Sequence, residues 1–322
     1  MARPLRVEVP GGRYHLTARG NERRNIFRGT TDYEHFLKLL SELPQRFGTR
    51  LHAFVLMPNH FHLLLETPEA NLSRTGQWLN LSYSVWFNRK YQRSGHLFQG
   101  RFGAVILEGD AELQEVGRYL HLNPVRVKAL GLDKKRRAAG RIGLTPAPSK
   151  EVVAARLQTL REWEWSSYPA YAGYAPAPAW LCTEALGGLC GGRSVKERQS
   201  ALRAYCQDAV REGLETPWER LLGGVVLGSP AFVEQLRQRV KGQEREQRGW
   251  REMQARRPSR VMITNTKPLT NTAPNRNCQL MPSVARPNAR KAFSPIFVFF
   301  SGWRVKVHPS VAGDHSTSRT EC

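Results

Sequence analysis

An α+β fold is predicted for this chain of 322 residues, and three observations predict it. Apolar and polar residues alternate in Arg13-Tyr14-His15-Leu16-Thr17-Ala18, and the apolar runs on either side of Met57-Pro58-Asn59 are strand-like. Between and after those stretches, Phe36, Leu37, Leu39, Leu40, Leu43 and Phe47, and later Trp78 to Phe87, recur at helical spacing. The resulting order is strand, helix, strand, strand, helix, strand, the split arrangement of a ferredoxin-like sheet with its helices on one face.

Pro10-Gly11-Gly12 is a turn signal, and the first strand follows it. Arg19-Gly20-Asn21-Glu22-Arg23-Arg24-Asn25 reads as a polar, basic loop, either a solvated connection or a contact to a nucleic-acid backbone. Residues 32–47 make a first amphipathic helix, which Pro44 is expected to bend or shorten. Residues 51–56 and 60–66 are two strands joined by the tight Met57-Pro58-Asn59 connection, a hairpin. The second helix spans about residues 72–91, where Trp78, Leu79, Leu81, Tyr83, Val85, Trp86 and Phe87 give a broad apolar surface expected in the core. Residues 96–107 hold the fourth strand. Asp110 is the expected N-cap of an added helix over about residues 111–122, with Leu113, Val116 and Leu120 on its apolar side. The aromatic stretch from Trp163 to Tyr171 is expected to pack back onto the first domain, and residues 195–212 and 229–248 are rich in helix formers, a small helical appendage.

The chemistry is expected where His60 and His62 stand one residue apart on a strand. Alternate residues share a face, so the two imidazoles point together while Phe61 turns to the other side. Such a pair is either satisfied by ordinary hydrogen bonds or begins a divalent metal site. Further on, Glu115, Tyr119 and Asn123 stand four residues apart and line up along the added helix, and Pro124 disfavours helix beyond them. Tyr119 is either a half-buried structural tyrosine or a nucleophile, and Asn123 either a helix-end residue or an oxygen ligand. In the catalytic reading, His60, His62 and Asn123 hold a divalent metal, with positions left open for a phosphate oxygen and water. Tyr119 then attacks a DNA phosphate, expels a 3′-hydroxyl and leaves a covalent 5′-phosphotyrosine.

Lys and Arg number 49 against 27 Asp and Glu, a net charge of +22, which predicts a phosphate-bearing partner. The excess is +11 over residues 1–143, +4 over 144–257 and +7 over 258–322. The first block combines the charge with the histidine strand and is expected to be the catalytic domain, the second a packing segment with the helical appendage, and the third a disordered basic tail. Arg19, Asn21, Arg23, Arg24, Arg101, Arg126 and Lys128 are the candidate DNA contacts, the last two opening the densest cationic run. Five cysteines without CxxC spacing, no signal-peptide pattern and no apolar run of membrane length lead to a reducing, cytoplasmic setting and no membrane partner as expectations.

His60-Phe61-His62 resembles the His-hydrophobic-His motif of single-tyrosine HUH transposases. Together with Arg19-Gly20-Asn21, Met57-Pro58-Asn59, Gln99-Gly100-Arg101-Phe102, Tyr119-Leu120-His121-Leu122-Asn123-Pro124-Val125 and Trp165-Ser166-Ser167-Tyr168, it is similar to the REP-associated tyrosine transposases, in order along about residues 10–175. The resemblance implies a ferredoxin-like catalytic domain that cuts and rejoins single-stranded or hairpin DNA with Mg²⁺ or Mn²⁺, as monomer or homodimer. By position it makes His60 and His62 metal ligands and Tyr119 the nucleophile; Asn123 stands where relatives often carry a longer Gln. A non-catalytic DNA-hairpin binding protein on the same fold is the alternative. A zinc hydrolase using His60 and His62 lacks a third His or Cys ligand in a matching motif.

Overall fold

The computed structural model describes residues 6–126, 148–212 and 216–240. Its centre is a sheet in the spatial order β2-β3-β1-β4-β5. The strands are β1 (Gly12–Arg19), β2 (Arg50–Met57), β3 (His60–Thr67), β4 (Gly103–Leu107) and β5 (Val226–Leu227). The first four are antiparallel to their neighbours, and β5 runs parallel to β4. This is the expected ferredoxin-like order with one added edge strand. β4 is shorter than the expected strand over 96–107: pairing with β1 is interrupted around Gly100, which has φ +76, and resumes only as a Phe98–Gly20 bridge.

Two helices cover one face of the sheet, α1 (Thr30–Phe47) and α2 (Leu72–Lys90). Pro44 does not shorten α1; the helix runs on to Gly48, whose φ of +64 ends it with an N–H to the Pro44 carbonyl at 2.9 Å. Strand parity puts Tyr14, Leu16, Phe61, Leu63 and Leu65 on this side, and all are buried. Phe61 meets Phe36 of α1 at 4.7 Å between ring centres, and Tyr83 of α2 donates from its hydroxyl to the Ile26 carbonyl at 2.6 Å. Of the expected core stripe on α2, Leu79, Tyr83 and Phe87 are buried but Leu81 and Val85 are 60% and 42% exposed, because that flank of the helix turns outward. Asp32, buried in the first turn of α1, accepts from the Arg28 backbone N–H (2.6 Å), Lys90 Nζ (2.6 Å) and Tyr91 Oη (2.8 Å), which ties the start of α1 to the end of α2.

The opposite face carries α3 (Asp110–His121), packed against β2 and β3. Gly109, not Asp110, is its N-cap; the Glu112 carboxylate accepts the Gly109 N–H at 3.0 Å, and Asp110 is the first helical residue. The expected aromatic packing is present: the Trp165 carbonyl accepts the Leu56 N–H at 2.8 Å, and Trp165 stacks on Tyr33 at 4.5 Å. Beyond it lie α4 (Lys150–Glu162), α5 (Tyr168–Tyr171), α6 (Glu184–Leu189), α7 (Val195–Glu212) and helical residues 230–240. The buried Arg156 of α4 donates to the Val210 carbonyl of α7 at 3.1 Å. Lys128, the cationic run after it and the expected tail over 258–322 lie outside the described residues.

Candidate active site

The site is built on the α3 face of the sheet, where parity aims His60 and His62 of β3 and His15 of β1 to one side. Met57 and His60 pair across the two-residue Pro58-Asn59 turn, so the hairpin fixes the register that sends Phe61 the other way. The His60 and His62 rings lie at 5.0 Å and nearly perpendicular. Each has its Nδ1 engaged: that of His60 with Asn59 Oδ1 at 2.7 Å, that of His62 with His15 Nε2 at 2.8 Å. Burial, then the charge of Arg19, pushes His60 down to about 4, and burial followed by the neighbouring His15 and His60 holds His62 well below the usual imidazole range. Both rings are therefore neutral near pH 7, with Nε2 remaining as the second nitrogen of each.

Tyr119, in the last turn of α3, presents its ring edge-on to His62 at 5.8 Å and to His15 at 6.3 Å. The Arg126 guanidinium lies over the Tyr119 ring, 4.3 Å from its centre. Asn123 follows in a short 3₁₀ turn (Asn123–Val125) and is buried; its Nδ2 donates to the Tyr119 carbonyl at 3.1 Å, while its side chain also interacts with His60. His60, His62, Tyr119 and Asn123, each singled out from the sequence, are thus brought together, with Arg19 and Arg126 beside them.

Two further side chains complete the site and carried no local signal. His15 is 4% exposed, stacked on His62 at 5.0 Å on one side and on Trp218 at 4.6 Å on the other. Trp218 also meets Tyr119 edge-to-face at 4.8 Å. It is held from both sides, by Arg220 paired with Glu115 of α3 and by β5 joined to β4. Arg19, Arg101 and Trp218 border an open cleft of about 430 Å³ that reaches His62. Asn21, Arg23 and Arg24 stand in a turn above the hairpin, exposed, with the Asn21 N–H on the Leu97 carbonyl (2.8 Å), Asn59 Nδ2 on the Arg23 carbonyl (3.1 Å) and Arg24 on Glu22 (2.6 Å).

Residues 8–123 match the model of a family described as transposase IS200 like. That stretch is an IS200-like transposase domain. The family inferred from the ordered motifs agrees with that match, and the matched stretch contains both histidines of β3, Tyr119 and Asn123. The transposase domain is accordingly that of a DNA-cutting, strand-transferring enzyme. Among solved structures it is similar to a REP-associated tyrosine transposase bound to a REP hairpin, at 16% identity and a TM-score of 0.38, covering 60% of this chain and 99% of that one. It is also similar to a Deinococcus radiodurans R1 protein provisionally described as a transposase (18% identity, TM-score 0.28, covering 37% and 95%). A third similarity is to the tRNA(His) guanylyltransferase of Saccharomyces cerevisiae (10% identity, TM-score 0.31, covering 66% and 87%). At these scores the three overlaps carry no argument about function. No curated protein matches the transposase sequence. No described helix is long and apolar enough to cross a membrane.

Proposed function

We propose that this transposase cleaves and rejoins single-stranded or hairpin DNA through a covalent 5′-phosphotyrosine on Tyr119. The observation that carries the reading is the meeting of a tyrosine from α3 with two neutral histidines from β3, His62 buried and His60 half-buried, on one face of the sheet. In the forward step the Tyr119 oxygen bonds to the scissile phosphorus as the phenol gives up its proton. The P–O3′ bond breaks and the departing 3′ oxygen takes up a proton. Attack by a second 3′-hydroxyl reverses these bond changes, which rejoins the strand without an external energy source. Arg19 and Arg126 stand beside the site, where guanidinium groups can hold phosphate oxygens.

The donor set fits a divalent ion. Nδ1 of His60 and of His62 are engaged by Asn59 and His15, the outer-shell pattern that fixes a metal-binding imidazole, and this leaves both Nε2 atoms and the Asn123 amide oxygen as donors. No group of three or more His, Cys, Asp or Glu among the described residues offers a denser metal site, which argues against the zinc-hydrolase reading. A bound Mn²⁺ or Mg²⁺ would polarise the phosphoryl group, and the two imidazoles favour the former. The DNA partner is expected to be a hairpin with unpaired flanks, bound by a monomer or a homodimer, in the cytoplasm.

The test is incubation of the full chain with hairpins from the flanks of its own gene and Mn²⁺ or Mg²⁺, scored as a protein–DNA adduct that survives denaturant. The adduct is expected to disappear in Tyr119→Phe and with chelator. Tight binding of those hairpins with no adduct under either metal would replace this reading by a DNA-hairpin binding protein on the same fold.

A further inference from the structure

The cleft beside His62 is not needed to hold either the nucleophile or the metal donors. Its walls differ in character. Among its lining residues is Trp218, half-buried, with the His15 ring stacked on it and the Tyr119 ring edge-to-face with it. β4 contributes Gly103, Ala104 and Val105 to the lining, and Leu221 and Val225 add apolar surface. Cations line it too. Arg6 lies flat over Phe102, 3.6 Å from its ring centre, and donates to the Phe102 carbonyl at 2.9 Å, so its charge is fixed in the lining, with Arg101 and Glu8 near enough to act on it. Arg19 and Arg101 line the same cleft, and Arg19 is close enough to both His60 and His62 to bear on their charge. A cleft lined by an aromatic ring, apolar side chains and guanidinium groups matches a flat, uncharged ring system attached to a charged backbone. Its volume of about 430 Å³ is within the range of small-ligand pockets.

We propose that this cleft receives one unpaired base of the DNA strand next to the scissile phosphate, with Trp218 as its stacking wall and Arg19 and Arg101 holding the adjoining phosphates. The proposal rests on the DNA reading above and adds to it a position on the substrate. Stacking on an aromatic side chain tolerates any base, so the cleft fixes where the strand lies more than which base it carries. It also explains why a segment more than 90 residues from Tyr119 in sequence is carried back to the site by β5. With the base seated, the backbone leaving the cleft passes Arg19 and arrives at His62 and Tyr119.

The test uses the full chain carrying Tyr119→Phe, so that binding is not followed by cleavage, and a gene-flanking hairpin with a single-stranded extension. Each base of the extension is replaced in turn by an abasic residue, and dissociation constants are read by fluorescence anisotropy. One abasic position is expected to weaken binding about 5- to 150-fold, the range for one base–aromatic stack. Trp218→Ala should weaken the intact DNA by a similar factor and erase the difference between intact and abasic DNA at that position, whereas Trp218→Phe should keep most of it. Val105→Phe, which fills the cleft from β4, serves as a second variant if Trp218→Ala melts early, and should likewise make that abasic position silent. Uniform tolerance of abasic residues, or an abasic effect unchanged in Trp218→Phe, Trp218→Ala and Val105→Phe alike, would overturn the proposal while an adduct on unsubstituted Tyr119 left the enzyme reading standing. Failure of any hairpin to bind at low salt would remove both.

Discussion

Replacing His15 by Phe isolates one contact of the site. The ring is sandwiched between His62 at 5.0 Å and Trp218 at 4.6 Å, and a benzyl group of similar size keeps both stacks. What it loses is the 2.8 Å bond between His15 Nε2 and His62 Nδ1. In that buried position an imidazole nitrogen without a partner costs about 1–3 kcal/mol. The freed ring can also turn, so Nε2 is no longer aimed. Loss of an outer-shell partner of a metal-binding imidazole weakens metal affinity about 10- to 100-fold, or about 1.4–2.7 kcal/mol, and the two routes agree in size. Calorimetric titration of Mn²⁺ into the full chain is therefore expected to show a dissociation constant raised about 30-fold in His15→Phe, with His15→Gln, which retains a polar side chain, in between. The melting temperature checks that the sheet is intact. Mn²⁺ binding within twofold of the unsubstituted chain, in a variant that still melts cooperatively, would refute the claim that His15 orients His62.

Three other outcomes follow from the same contacts. Burial alone would raise the carboxyl pKa of Asp32, but Lys90, the Arg28 N–H and Tyr91 together hold it below the usual carboxylate value. Its contribution is thus complete above about pH 4, the unfolded value, and is lost as pH falls through the lower folded one, so Asp32→Asn should flatten the acid limb of denaturant stability and cost about 2 kcal/mol at pH 7, as charge-assisted bonds are worth ~1.5–3 kcal/mol and Lys90 returns to water. Gly20 has an ordinary backbone angle, yet a Cβ there would stand 2.1 Å from the Arg24 carbonyl oxygen; Gly20→Ala should destabilise by about 1–3 kcal/mol in chemical denaturation, and a neutral result would mean that the turn is looser than described. Arg19→Ala is expected to reduce the slope of log affinity against log salt for single-stranded DNA by about 0.7, and an unchanged slope would take Arg19 off the phosphate path.

The part of the fold that was legible from the amino acids is the part built on local periodicity. Alternation located β1, short apolar runs flanking a turn located β2 and β3, and the parity of His60, Phe61 and His62 told which side chains share a face. The edges were less legible. β5 has two residues, too few to show a period, and pairs with β4 only because the chain returns there. Leu81 and Val85 are apolar but lie on the outward flank of α2, where composition and burial part company. In the site, the four residues on one strand and one helix end could be read along the chain. His15 could not, since it reaches His62 through strand pairing, two register positions removed from the Thr17–His62 pair. A signal was nevertheless present: His15 has the same parity on its strand as a face-sharing partner needs. Trp218 offered none, as its neighbours Pro217 and Glu219 mark only a turn.

The common direction of His60 and His62 depends on counting, because it is set by strand parity across the Pro58-Asn59 turn. Substitutions along β2 and β3 change how well the strands pack but leave that count alone. A single residue gained or lost between the turn and His62 would instead exchange the imidazoles for the Phe61 ring and bury the histidines among α1 and α2, with almost no change in composition. For a chain of this kind, length variation in the hairpin is the lesion that silences the site, and the spacing of the two histidines from the turn is the quantity that mutational drift has least freedom to alter.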